Sequence, residues 1–234
     1  EFGVFSRCDY QELADKYQIP VFILTDQDFV DRYYNIPSLD ISEISVEKHW
    51  IKPAADYKRY KFTATGISPR AIPGLGEGLV RVDSDEHDES GHITEDMHGI
   101  RKKMIDKRVF KKQTQIETET EKPTWKGPES PKLAVICWGS TYHAVEEAIA
   151  ASGREDIAMV HFHQLYPLHN EIKPLLKQAQ KLVLLENNAT GQFTKVLKLY
   201  GDVQIPSDQQ FLKYIGEPYM VEEIKEWILQ EVDF

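Results

Sequence analysis

Cysteine is nearly absent from this 234-residue sequence, with only Cys8 and Cys137 present. Two thiols cannot build a disulfide framework, and they cannot hold an iron-sulfur cluster, which takes about four thiolate ligands. Long apolar runs are missing too. The longest, such as Val21 to Leu24 and Leu182 to Leu185, fall far short of the roughly 20 residues that span a bilayer, so no membrane segment is expected. No secretory or transit segment opens the chain, and sparing cysteine use fits a reducing cytoplasm. Positive charge is in deficit, with 28 Lys and Arg against 38 Asp and Glu for a net charge of -10. That balance opposes attraction to nucleic acid or anionic lipid, which are themselves polyanions. No methionine stands at position 1, and Glu1-Phe2-Gly3 reads either as an appended scar or as an interior cut of a longer chain. What is present is a globular composition, 41% hydrophobic and 28% charged, long enough for one large or two modest domains.

Periodicity divides the chain unevenly. Residues 9 to 17 carry Leu13, Ala14 and Tyr17 at helical spacing, and Pro20 leads into the strand-like Val21-Phe22-Ile23-Leu24. A strand this apolar belongs in a parallel sheet covered on both faces, and one helix with one strand cannot supply that sheet. Residues 27 to 100 hold breakers at Pro37, Pro53, Pro69, Pro73, Gly74, Gly76 and Gly78, and read as a long irregular arm. A basic helix is predicted over Glu95 to Lys112, followed by linker composition from Thr114 to Pro131. Beyond it strands (133–137, 157–162, 181–186) alternate with helices (142–151, 170–178, 192–200, 221–232). Such alternation implies right-handed crossovers and a parallel α/β sheet.

Several motifs sit where chemistry is found in such folds. Cys137-Trp138-Gly139-Ser140-Thr141 and Glu186-Asn187-Asn188-Ala189-Thr190-Gly191-Gln192 each join a strand to a helix, at the edge where ligands dock. Each reads either as a turn with hydroxyl or amide helix caps or as an anion site. Pro73 to Gly78 lacks the glycine spacing of a dinucleotide loop. Asp83, Asp85, Glu86, His87, Asp88, His92, Glu95, Asp96 and His98 form an acidic and imidazole-rich loop. It reads as a solvated loop or a divalent-metal site, with neither calcium-loop nor zinc spacing. His161 and His163 lack a third ligand nearby and read as strand-end packing. Tyr57-Lys58-Arg59-Tyr60-Lys61-Phe62 interleaves bases and aromatics, suited to an internal anion or an acidic partner surface.

Taken in order, Tyr57-Lys58-Arg59-Tyr60, Gly66-Ile67-Ser68-Pro69-Arg70-Ala71-Ile72-Pro73-Gly74 and Glu86-His87-Asp88-Glu89 with Gly91 resemble the alpha subunit of 2-oxoacid:ferredoxin oxidoreductases, the 2-oxoglutarate type in particular. The likeness extends through Lys16-Tyr17, Pro20 and Asp26-Gln27 to Trp138-Gly139-Ser140-Thr141 and Glu186 to Gln192. It implies the C-terminal portion of that subunit: residues 1–36 ending a thiamine pyrimidine-binding domain, 37–131 an irregular arm, helix and linker, and 132–234 a transketolase C-terminal-like domain. The implied reaction is oxidative decarboxylation of a 2-oxoacid to acyl-CoA with reduction of ferredoxin. Thiamine diphosphate, magnesium and an iron-sulfur cluster belong to the assembled enzyme, with a beta subunit supplying the diphosphate site and none bound by this chain alone. Asn187-Asn188 precedes Gly201-Asp202-Val203, the reverse of the family's diphosphate pattern. No catalytic residue carries over. Arg59, Arg70, Glu86, His87, Asp88 and Glu89 are the expected active-site-adjacent or subunit-interface residues. The competing readings are a non-catalytic interaction module of the same fold and a metal-binding protein built on the 83–98 loop.

Overall fold

A computed structural model describes residues 12–31, 33, 35 and 47–232. The chain divides into two compact units, one of residues 1–23 and 34–116, the other of residues 24–33 and 117–234.

The second unit is built on runs of apolar residues that can be buried only if both faces of a sheet are covered. Strands β4 (Leu133–Trp138), β5 (Ile157–Phe162) and β6 (Lys181–Glu186) are parallel. Short β3 (Thr124–Lys126) and β7 (Gln210–Leu212) flank them, giving the order β3-β5-β4-β6-β7 with β3 alone antiparallel. Because successive side chains on a strand point to opposite faces, β4 feeds two cores. Leu133, Val135 and Cys137 pack with Val145 and Ala148 of α4 (Tyr142–Ser152) and with Ile224 and Ile228 of α7 (Val221–Val232). Ala134 and Ile136 pack with Ile172 and Leu176 of α5 (Ile172–Leu176) and with Phe193 and Leu197 of α6 (Gln192–Gly201). The chain leaves β4 toward one face and β6 toward the other, so the crevice between their carboxyl ends is the topological switch point, where ligands bind in open α/β sheets. The mixed α/β class with a mostly parallel sheet agrees with the reading from periodicity.

The described residues of the first unit hold little regular structure. Residues 12–17 are helical, and β1 (Trp50–Ile51) pairs in parallel with β2 (Arg70–Ala71). Between them the backbone groups that lack a ladder are satisfied by side chains, as burial requires. The Tyr57 hydroxyl donates to the Pro69 carbonyl at 2.9 Å and accepts the Ala71 N–H at 3.0 Å. Ser68 Oγ donates to the Lys61 carbonyl at 2.8 Å, and Gln18 Nε2 to the Ser68 carbonyl at 2.6 Å. Gly66 sits at φ +79°, and a Cβ there would lie 2.5 Å from the Lys107 carbonyl oxygen, so only glycine allows this loop to close on the helix.

Three expectations change. Val21 to Leu24 form no strand: Phe22 and Leu24 are 83% and 71% exposed, and no described strand lies beside them to complete a ladder. The basic helix starts later than predicted and runs further, as α2 (Ile100–Ile105), a π-helical turn (Asp106–Lys111) and α3 (Lys112–Glu119). Asp96 sets its start by accepting the N–H groups of Gly99 and Ile100 at 2.8 and 3.2 Å. The polar stretch 114–131 therefore begins as helix, and Thr124–Lys126 joins the sheet. Lastly, α1 (Gln27–Asp31) is a single short helix at the start of the predicted arm. Among the described residues no helix is long and apolar enough to cross a membrane.

Candidate functional site

The six residues singled out from sequence all lie on the arm. Their side chains are spent first on holding it together. Glu86, its side chain 13% exposed, accepts from Arg108 Nη2 at 2.9 Å through both carboxylate oxygens. His87 is buried, stacks on Tyr60 with ring centroids 3.7 Å apart, and meets the Asp85 carbonyl through Nδ1 at 2.7 Å. That carbonyl can only accept, so Nδ1 carries the proton. Asp88 closes the next turn by accepting the N–H groups of Ser90 and His92 at 2.8 and 3.0 Å. Those hydrogen bonds, that of His92 foremost, lower its pKa. Glu89 accepts the Phe62 N–H at 2.8 Å and pairs with Lys58 at 3.4 Å. Arg59 lies over the Tyr60 ring, 5.1 Å from its centroid, and Arg70 pairs with Asp15.

Arg59, Glu86, His87 and Glu89 thus meet around Tyr60 and the π-helical turn, while Arg70 reaches a separate partner. The metal reading of the 83–98 loop finds no convergent ligand set among the described residues. The one grouping there with metal-ligand spacing is Glu12, Glu47 and His49, in which the imidazole contacts Glu12 at 3.1 Å and Glu47 at 3.7 Å through different nitrogens. Because Glu86 is the more buried partner, Arg108→Ala should cost about 1–2 kcal/mol, the scale of a hydrogen bond to a charged group left without its donor. Glu86→Ala should cost less, since the released guanidinium can turn to water. Urea denaturation of the two variants checks this ordering.

Sequence reasoning missed two residues of this site. Lys107 is only 6% exposed, and its ammonium donates to the Tyr60 carbonyl at 2.8 Å. Burial, and then the charges of Arg59, Lys112 and Arg108, push its pKa down to about 8. Lys112 is lowered as well, by burial and then by Arg108 and Arg59. A basic helix was legible, but nothing local marks which of its lysines face inward.

At the switch point of the second unit, Glu186 ends β6 with 1% exposure, and its carboxylate accepts the Phe193 N–H at 2.9 Å. Burial raises its pKa against the pull of that hydrogen bond. Asn188 Oδ1 accepts the N–H groups of Thr190 and Gln192 at 3.0 and 3.3 Å, a turn leading into α6 in keeping with one of the two readings of this loop. In the Trp138 to Thr141 loop the hydroxyls do not cap α4. Thr141 Oγ1 donates to the Trp138 carbonyl at 2.7 Å, and Ser140 Oγ donates to Asp26. Cys137 is fully buried, which pushes its thiol up to about 12 and removes it as a nucleophile. His161 donates from Nε2 to the Gly139 carbonyl at 2.9 Å, and its ring meets His163 edge-on at 4.6 Å, the strand-end packing expected of the pair.

Comparison with known proteins bears on what this arrangement serves. The chain is 30% identical over 227 residues to the alpha subunit of 2-oxoacid:ferredoxin oxidoreductase 1 of Sulfurisphaera tokodaii, covering 94% of this chain and 35% of that protein. The alpha subunit from Saccharolobus solfataricus is 34% identical over 92% of this chain and 35% of its own length. The chain belongs to the 2-oxoacid:ferredoxin oxidoreductase alpha-subunit family. It spans about a third of the length of these family members. The solved 2-oxoglutarate:ferredoxin oxidoreductase of Magnetococcus marinus, with 2-oxoglutarate, coenzyme A and succinyl-CoA bound, shares the fold at a TM-score of 0.73 and 22% identity, over 84% of this chain and 34% of that one. No family model matches the chain.

Proposed function

We propose that this chain serves within a thiamine-dependent 2-oxoacid:ferredoxin oxidoreductase, one that converts a 2-oxoacid, 2-oxoglutarate in the first instance, to acyl-CoA and passes two electrons to ferredoxin in the cytoplasm. The observation that carries the reading is alpha-subunit likeness running through nearly the whole chain. Residues 132–234 are read as the transketolase C-terminal-like domain, residues 1–36 as the end of a pyrimidine-binding domain, and 37–131 as an arm between them.

Thiamine diphosphate is held in such enzymes by a diphosphate site, and the residues here do not fit one. Asn188 is spent on the start of α6, Gly201 packs against Leu168 and Ile172 at its end, and Asp202 pairs with Lys173. No step of the reaction is therefore assigned to them. A beta subunit is the proposed source of the diphosphate site, the magnesium ion and the iron-sulfur cluster, since Cys8 and Cys137 are too few for a cluster. The chain alone is proposed to be inactive.

Its own contribution is positional. Arg59, Arg70 and Glu86 to Glu89 lie on an arm kept in shape by side chain to backbone hydrogen bonds. The arm is proposed to border the active-site mouth and the beta subunit, where coenzyme A and ferredoxin have access. In the enzyme assembled with a beta subunit, deleting Asp83–Gly91 should change turnover or the KM for coenzyme A by more than it changes thermal stability. Unchanged kinetics with intact assembly would remove the arm from the active site. Absence of 2-oxoacid-dependent electron transfer from the wild-type assembly would remove the reaction itself.

A further inference from the structure

Positive charge in this acidic chain is concentrated. Lys58, Arg59 and Lys61 fall within four residues, and Arg101, Lys102, Lys103, Lys107, Arg108, Lys111 and Lys112 within twelve. The fold brings parts of the two clusters together around one ring. Arg59 Cζ lies 5.1 Å and Lys107 Nζ 5.7 Å from the centroid of Tyr60. The ideal Cβ of Gly66 would sit 2.5 Å from the Lys107 carbonyl oxygen and 2.7 Å from the Lys112 nitrogen, so the loop after Tyr60 rests directly on the π-helical turn that carries Lys107 and on the start of α3, where Lys112 lies. Among the described residues, Glu86 takes Arg108, and Glu89 takes Lys58 and the Phe62 N–H and offsets part of the positive charge at Lys107. Arg59 and Lys112, both half-buried, have no carboxylate partner among the described residues. An ammonium has three N–H donors. Lys107 gives one to the Tyr60 carbonyl, and the other two meet no acceptor among the described residues, although the side chain is more than nine-tenths buried.

We propose that Arg59, Lys107 and Lys112, gathered by the Tyr60 loop, the π-helical turn and the start of α3, form a binding site for a compact phosphate group. Three cations converging from two segments match a phosphate better than a carboxylate. A phosphate ester carries about -1.5 to -2 charges at neutral pH and three acceptor oxygens, whereas a carboxylate neutralises one cation. A flat acidic protein surface fits less well, because Lys107 is withdrawn from the surface such a partner would touch. The lysine pKa values are depressed first by burial and second by the neighbouring cations, and an added dianion offsets the second of these. A π-helical turn widens the backbone locally and recurs at functional sites, and here it carries Lys107. The site is independent of the reaction proposed above, and its test needs neither a beta subunit nor turnover.

The test adds inorganic phosphate to the full chain at constant ionic strength, balanced with chloride, and follows both Tm and the NMR titration of the Lys107 ε-amine. Phosphate should raise Tm saturably and move the Lys107 titration from about 8 back toward the ordinary lysine range. The double variant Arg59→Gln, Lys112→Gln, which leaves the buried lysine and the Glu86–Arg108 pair intact, should weaken binding by about tenfold or more, the scale of losing charge-assisted contacts. Lys102→Gln, exposed on α2 and paired with Asp106 at 2.9 Å, should bind as the wild type does. An equal phosphate response in wild type and double variant would mark a general salt effect and overturn the site. So would no saturable response with an unmoved Lys107 titration, or binding of an acidic peptide in the absence of phosphate binding.

Discussion

Glu186→Ala should destabilise the second unit by about 2–4 kcal/mol, whereas Glu186→Gln should cost at most about 1 kcal/mol. The carboxylate is buried and accepts the Phe193 N–H, one of the amides at the start of α6 that have no partner within the helix. Alanine strands that N–H in a buried site and leaves a void, and each defect costs on the order of 1–3 kcal/mol. Glutamine keeps an acceptor oxygen and removes a charge. Because burial raises the folded pKa of Glu186, the charged form is the less favourable one here, and neutralising it loses little. Its carbonyl still receives the Tyr219 hydroxyl at 2.9 Å in either variant, so the joint between β6 and the segment before α7 survives. Chemical denaturation at pH 7 separates the two. A glutamine variant as unstable as the alanine one would show that the negative charge, and not the acceptor, holds the helix.

Acid should weaken the same unit through a buried histidine. His161 is buried, its Nε2–H is given to the Gly139 carbonyl, and its Nδ1 has no partner among the described residues. A proton on Nδ1 would therefore be buried without an acceptor, and burial lowers the pKa from 6.5 to about 4, with His163 and His143 adding smaller repulsion. The unfolded chain takes up this proton near pH 6.5 and the folded chain only near pH 4. Stability from this group is thus complete above pH 6.5, falls as pH drops through the interval, and is lost below about 4. At about 1.4 kcal/mol for each pH unit of the gap, the loss is about 3 kcal/mol. Glu186 acts in the opposite sense, because a raised carboxylate pKa makes the folded state the better proton acceptor. Comparing variants isolates the histidine. His161→Gln can still donate to Gly139, and it should be closer in stability to itself at pH 4.5 and pH 7.5 than the wild type is. Equal pH dependence of the two proteins would assign the acid sensitivity elsewhere.

The sheet was legible because its strands are buried on both faces. Runs such as Leu133 to Cys137 and Lys181 to Glu186 are too apolar and too short for anything else between helices of clear periodicity. Strands β3 and β7 were not legible. Each is three residues long and half-exposed at a sheet edge, and Thr124-Trp125-Lys126 sits in a polar, proline-bearing stretch whose composition points to a linker. Val21 to Leu24 shows the converse, since apolar content marks a strand only where a neighbouring strand pairs with it.

Charge balance, cysteine scarcity, strand and helix alternation and the family motifs are local or compositional properties, and the sequence determined them by itself. Strand order, the inward turn of Lys107, the clamp of Arg108 on Glu86 and the withdrawal of His161 from water were decided only by the tertiary structure. Lys107 meets the Tyr60 carbonyl across 47 residues, and Arg108 meets Glu86 across 22. Whether a charged side chain faces water or a neighbour depends on which distant backbone is folded against it. A lysine on a basic helix therefore has the same sequence context whether it stays in solvent or is buried with its pKa pushed down to about 8.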